Sequence, residues 1–102
     1  MSQPETLFKE KVQDKLKGFQ DLWFVKTQML AVMGIPDIIG VYKGRMFAWE
    51  LKKDAKSPPT TLQNHVLRSI SNAGGLARVV HPGNLQACLT ELSEVGKKRL
   101  MK

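Results

Sequence analysis

A chain of 102 residues, 42% hydrophobic and 25% charged, has the make-up of one globular domain and carries no internal repeat or low-complexity stretch. Its single cysteine excludes an internal disulfide or a zinc knuckle and points to a reducing cytoplasm. A formal net charge of +7 makes a polyanion, nucleic acid above all, the first partner to consider, while no apolar run approaches the length of a membrane span.

Glu5 to Lys17 reads as the first helix, with Leu7, Phe8, Val12 and Leu16 on one stripe at helical spacing. Pro4 suits its first turn and Gly18 its end. By phase Glu5 falls on the core-facing side and Glu10 points away. Asp21 to Thr27 reads as a short buried strand centred on Trp23-Phe24-Val25, and Met29 to Met33 as an apolar loop. Core filling is the ordinary use of the two methionines there, and a wedge beside DNA the sharper one.

Two apolar runs follow, Ile38-Ile39-Gly40-Val41-Tyr42 and Met46-Phe47-Ala48-Trp49, around Lys43-Gly44. They read as a β-hairpin. A two-residue turn at Lys43-Gly44 makes paired residue numbers sum to 87, which sets Asp37 across from Glu50 with Lys52 on the same face. A three-residue loop over Tyr42-Lys43-Gly44 instead sets Asp37 across from Trp49 and sends the two carboxylates to opposite faces. The first register is expected, with both carboxylates near enough to share a cation. Two carboxylates suit Mg²⁺ or Mn²⁺, with water and phosphate oxygens completing the octahedron. A neighbouring lysine suits a hydrolytic water or a charged phosphate.

Lys52-Lys53-Asp54-Ala55-Lys56 forms a basic turn, and Ser57-Pro58-Pro59-Thr60-Thr61 a stiff loop into the N-cap of a second helix. That helix runs from Thr61 to Ala73 with Leu62, Val66, Leu67 and Ile70 inward and Gln63 in its first turn. His65 and Arg68, on the same helix, are candidates for DNA contact together with Lys53 and Lys56. Gly74-Gly75 closes it, and Leu76 to Val80 reads as a strand parallel to that of Trp49 through a right-handed crossover. Asn84 caps a last helix from Leu85 to Val95 with Leu85, Cys88, Leu89 and Leu92 on one face, and residues 97–102 are a basic solvated tail. The order predicts an α/β fold in which helices flank a mixed sheet of about four strands.

Gly34-Ile35-Pro36-Asp37, then Glu50-Leu51-Lys52, then Gln63 at the start of a helix and Gly74-Gly75 beyond it, resemble the PD-(D/E)xK nuclease signature. Within it they resemble the small stand-alone VRR-Nuc branch of phages and bacteria, and the likeness runs from about Glu5 to about Leu92. The resemblance implies a restriction-endonuclease-like core, a Mg²⁺- or Mn²⁺-dependent DNA endonuclease and a location in the cytoplasm of a bacterium or phage-infected cell. It implies that Asp37 and Glu50 hold the metal with the Leu51 carbonyl, that Lys52 steers the water, and that Glu5 and Gln63 assist. It also brings Lys26 and Gln28 toward the active end. A homodimer acting on branched DNA such as four-way junctions is the implied assembly. The competing reading is a non-catalytic DNA-binding module that keeps the fold for its basic face. RNA or protein binding has less support, because only 7% of the residues are aromatic.

Overall fold

The structure, a computed structural model, describes residues 4–28 and 32–100, with side chains over 6–28 and 32–97. In chain order it contains α1 (Pro4–Lys17), β1 (Leu22–Lys26), β2 (Ile38–Tyr42), β3 (Arg45–Leu51), α2 (Thr61–Asn72), β4 (Leu76–Val80) and α3 (Leu85–Leu100). The strands form one sheet in the order β1-β2-β3-β4. Its first two pairings are antiparallel and its last is parallel, as expected for a helical crossover through α2. None of these helices is long and apolar enough to cross a membrane.

The hairpin of β2 and β3 adopts the register that matters for the site. Pairs run from Ile38 with Trp49 to Tyr42 with Arg45, so the paired numbers sum to 87 throughout. Lys43 (φ 50°) and Gly44 (φ 84°) are both left-handed, which makes the turn type I′. A lysine in that conformation costs about 1 kcal/mol. The packed face explains why the chain accepts it. Phe47 and Trp49 are fully buried, and a slip of one residue would turn both toward solvent, a loss of several kcal/mol. Lys43 also finds local partners, with Nζ 3.8 Å from Asp21 Oδ2 and 5.6 Å from the Tyr42 ring centre.

One sheet face carries Ile38, Phe47, Trp49, Leu51, Leu76 and Val80 into the core. Phe8, Val12 and Leu16 of α1 and Leu85, Cys88, Leu89 and Leu92 of α3 close over it. On the opposite face α2 packs on β3 and β4 and buries Leu67.

Several expectations about burial need correction. Leu7 is 54% exposed, because the α1 stripe follows Phe8, Val12 and Leu16 at four-residue steps and Leu7 sits a quarter-turn off it. Strand β1 is an edge, and Trp23, paired across to exposed Val41, is itself exposed. Leu62, expected inward, is 43% exposed. The last helix continues to Leu100, five residues beyond Val95, so Lys97 stands on a helix and not in a frayed tail. Val95 packs against the core and Lys97 lies 3.4 Å from Glu94, which together favour the extra turn. Asn84 accepts the first helical bond of α3 through its carbonyl, from Cys88 N–H at 3.0 Å. Its side chain turns back to accept from His81 N–H at 2.8 Å.

Candidate metal-dependent active site

The hairpin register delivers the predicted convergence. Asp37 stands one step before Ile38 on β2, and Glu50 one step beyond Trp49 on β3. Both line a single cleft of about 220 Å³ with Phe8, Lys9, Leu51, Lys52, Lys53 and Ser57. Asp37 is latched in place, its Oδ2 accepting the Leu51 N–H at 2.8 Å. Its other oxygen, Oδ1, faces Lys9 Nζ at 3.8 Å.

Glu50 is only 4% exposed, and its two oxygens differ sharply. Oε2 lies 3.4 Å from Lys52 Nζ, whereas Oε1 is buried with no hydrogen-bond partner among the described residues. An unpartnered buried carboxylate oxygen is unfavourable, since desolvation is then uncompensated. Burial pushes the Glu50 carboxyl up from its ordinary value, and the Asp37 charge pushes it further. The Lys52 ammonium and the Asp37 backbone N–H pull it part of the way back. The net direction is upward, as for any carboxyl that is dry and faces a like charge. Such a group gains from a proton or from a cation.

Lys52 is held from two sides. Besides Glu50 it donates to Gln63 Oε1 at 3.2 Å. The same Gln63 oxygen accepts Thr60 N–H at 2.9 Å, while Thr60 Oγ1 accepts Gln63 N–H at 3.1 Å. This is a capping box at the start of α2. Gln63 therefore joins the helix N-terminus to the lysine, a sharper role than bracing a water. The Thr60-Thr61-Leu62-Gln63 spacing carries the signal for the box; the bond to Lys52 has none in the sequence.

The donor set fits a hard divalent cation. Lys52 N–H donates to the Val80 carbonyl of β4 at 2.8 Å. Strand alternation then turns the Leu51 N–H and carbonyl to the other side, where Asp37 stands. Two carboxylates and one carbonyl leave the remaining octahedral positions to water and phosphate oxygens, the usual pattern for Mg²⁺. Among the described residues there is no cluster of three His, Cys, Asp or Glu. The Glu5 side chain lies outside the described residues, although its backbone sits in the first turn of α1, one turn before Lys9. Glu10 is exposed on that helix.

Of the residues expected near DNA, Lys53 lines the cleft itself. Lys26 and Gln28 line a smaller adjoining recess of about 20 Å³ that shares Lys9, Asp37 and Leu51 with it. Lys56 is exposed on the turn beyond β3, its N–H bound to Asp54 Oδ1 at 2.9 Å. His65 and Arg68 are exposed and line neither recess. At 3.6 residues per turn they sit roughly 140–160° around α2 from Gln63. Lys9 is the cleft residue that sequence reading missed. Its neighbour Phe8 is core, and only the docking of α1 over the sheet shows that Lys9 reaches Asp37.

A scan against protein-family models finds no match for this chain, and neither does a search of curated proteins.

Proposed function

We propose that this chain is a metal-dependent DNA endonuclease of the VRR-Nuc, PD-(D/E)xK kind that hydrolyses phosphodiester bonds in branched DNA. The observation that carries the reading is the buried, unpartnered Oε1 of Glu50 sharing one cleft with Asp37 while Lys52 is held beside it. A surface hairpin without a site has no reason to bury a carboxylate and leave half of it unsatisfied.

Asp37, Glu50 and the Leu51 carbonyl would hold Mg²⁺ or Mn²⁺. When bound, such a cation lowers the pKa of a coordinated water and polarises a phosphoryl oxygen. Lys52, fixed by Gln63 and Glu50, orients the attacking water and offsets charge that develops on the phosphate. Lys9 and Lys53 add positive charge to the cleft walls, where flanking phosphates would lie. The net charge of +7 draws the polyanion to the protein.

The test is a panel of linear, flapped and four-way-junction DNAs incubated with Mg²⁺, alongside a calorimetric titration of the protein with the metal. Cation uptake and cleavage of the branched substrates ahead of the linear one are expected. Tight DNA binding with no cation uptake and no product would favour the non-catalytic module.

A homodimer belongs to the same proposal. A small domain offers a short footprint, and two-fold pairing would present two cleavage centres to the two strands of a symmetric junction. Light scattering at micromolar concentration should give the dimeric mass; a monomeric mass would refute this part.

A further inference from the structure

The segment leading into Asp37 and the first turn of α2 carry apolar surface that the chemistry above does not use. Met33 is 80% exposed, Val32 57% and Leu62 43%. Met33 therefore does not fill the core, and its companion Met29 lies outside the described residues.

The backbone that presents Val32 and Met33 is anchored at defined points. Gly34 is left-handed at φ 78° and packs on α2 so closely that a β-carbon there would stand 2.6 Å from Leu62 Cγ. At the base of the loop the buried Thr27 donates its hydroxyl to the Pro36 carbonyl at 2.5 Å and its N–H to the Asp37 carbonyl at 2.9 Å. The loop thus leads from an exposed methionine, through a glycine seated on Leu62, to the candidate ligand Asp37. Leu62 in turn precedes Gln63, whose side chain holds Lys52. The apolar patch is thus joined along the chain to Asp37 on one side and to Gln63 on the other.

We infer that Val32, Met33 and Leu62 form an apolar wedge that packs against an unstacked base of the DNA whose backbone occupies the Asp37–Glu50 cleft. This rests on the nuclease reading of that cleft and adds how branched DNA is told from plain duplex. Proteins that kink DNA insert Met, Leu and similar side chains at a base step, at a cost of a few kcal/mol in lost stacking. That cost is least where a base is already unpaired or mismatched, so a fixed wedge favours a branch point. Methionine is unbranched and polarisable and adapts to any base face. Charge complementarity favours DNA as the occupant, since a net charge of +7 attracts a polyanion.

The experiment uses the full chain with Ca²⁺ in place of Mg²⁺ and flapped DNA carrying 2-aminopurine either at the branch nucleotide or within a duplex arm. The wild-type protein should brighten the branch probe and leave the arm probe unchanged. Met33→Ala should largely abolish the brightening and reduce the preference for flapped over linear DNA about tenfold, the scale expected for losing one buried apolar side chain. Its salt dependence should stay at the wild-type slope, because phosphate contacts are untouched. Met33→Leu should restore the preference. Unchanged brightening and preference in Met33→Ala and in Val32→Ser would overturn the inference. So would a shift of Met33→Ala from dimeric to monomeric mass with the preference intact, which would make the patch a protein contact. A wild-type protein that brightens the branch probe yet cuts nothing in Mg²⁺ would support the wedge and sink the nuclease reading alone.

Discussion

Glu50→Gln is expected to reduce metal-dependent cleavage on the order of 100-fold or more, the scale on which loss of a principal electrostatic group acts, and to raise the melting temperature by a few degrees. The two effects share one cause. Glu50 is buried, faces Asp37 and, among the described residues, keeps an unpartnered Oε1, so Lys52 alone leaves its charge incompletely offset. The glutamine amide occupies nearly the same volume, needs no counter-charge and cannot replace an anionic ligand. Activity and stability then move in opposite directions, as at other sites built for function before stability. Matched cleavage rates and thermal melts in EDTA measure both. Equal rates for wild type and variant would remove this centre as the site of hydrolysis.

The direction of the Glu50 shift also sets the pH behaviour of the metal-free protein. The carboxyl titrates higher in the folded chain than in the unfolded one. Between those two values the native state holds more protons, so the contribution of this group to stability is greatest below the ordinary carboxylate range and is lost as pH rises through the folded value. Proton and cation compete for the same oxygen, so metal affinity should rise over that window. Glu50→Gln should flatten this part of the stability profile.

What the sequence made legible follows from where local and buried constraints agree. The register at Lys43-Gly44 was open on turn chemistry alone, because lysine is a poor left-handed residue. Alternation keeps Phe47 and Trp49 on one face in either register, so the sum-of-87 expectation rests on the site's need for Asp37 and Glu50 on one face. The structure adopts that pairing, with Trp49 opposite the buried Ile38. Leu7, Trp23 and Leu62 read as inward from apolarity and spacing, yet all three are exposed. An edge strand and an overhanging first turn are products of topology and carry no local mark. Lys9 is illegible for the same reason: its contact with Asp37 depends on how α1 docks on the sheet. Gln63 has two roles of different legibility. The capping box could be read from spacing, while its second use, holding the lysine, required the helix to be docked beside the end of β3.

Asp37 offers a sharper test, because its charge and its hydrogen bond can be removed separately. The charge faces Glu50 and Lys9, whereas Oδ2 accepts the N–H of Leu51, a residue only 6% exposed. Asp37→Asn keeps an amide oxygen for that N–H and discards the anion. Cleavage should fall on the order of 100-fold, and thermal stability should hold or rise, since the repulsion on Glu50 is gone. Asp37→Ala discards both. Cleavage should fall as far, and the orphaned Leu51 N–H should cost a further ~1–3 kcal/mol. For a domain of this size such a loss lowers the melting temperature by at least about 4 °C. The pair of variants thus separates a ligand from a latch. If Asp37→Asn cleaves at the wild-type rate while Asp37→Ala merely melts early, Asp37 is a structural latch and Glu50 must act without it.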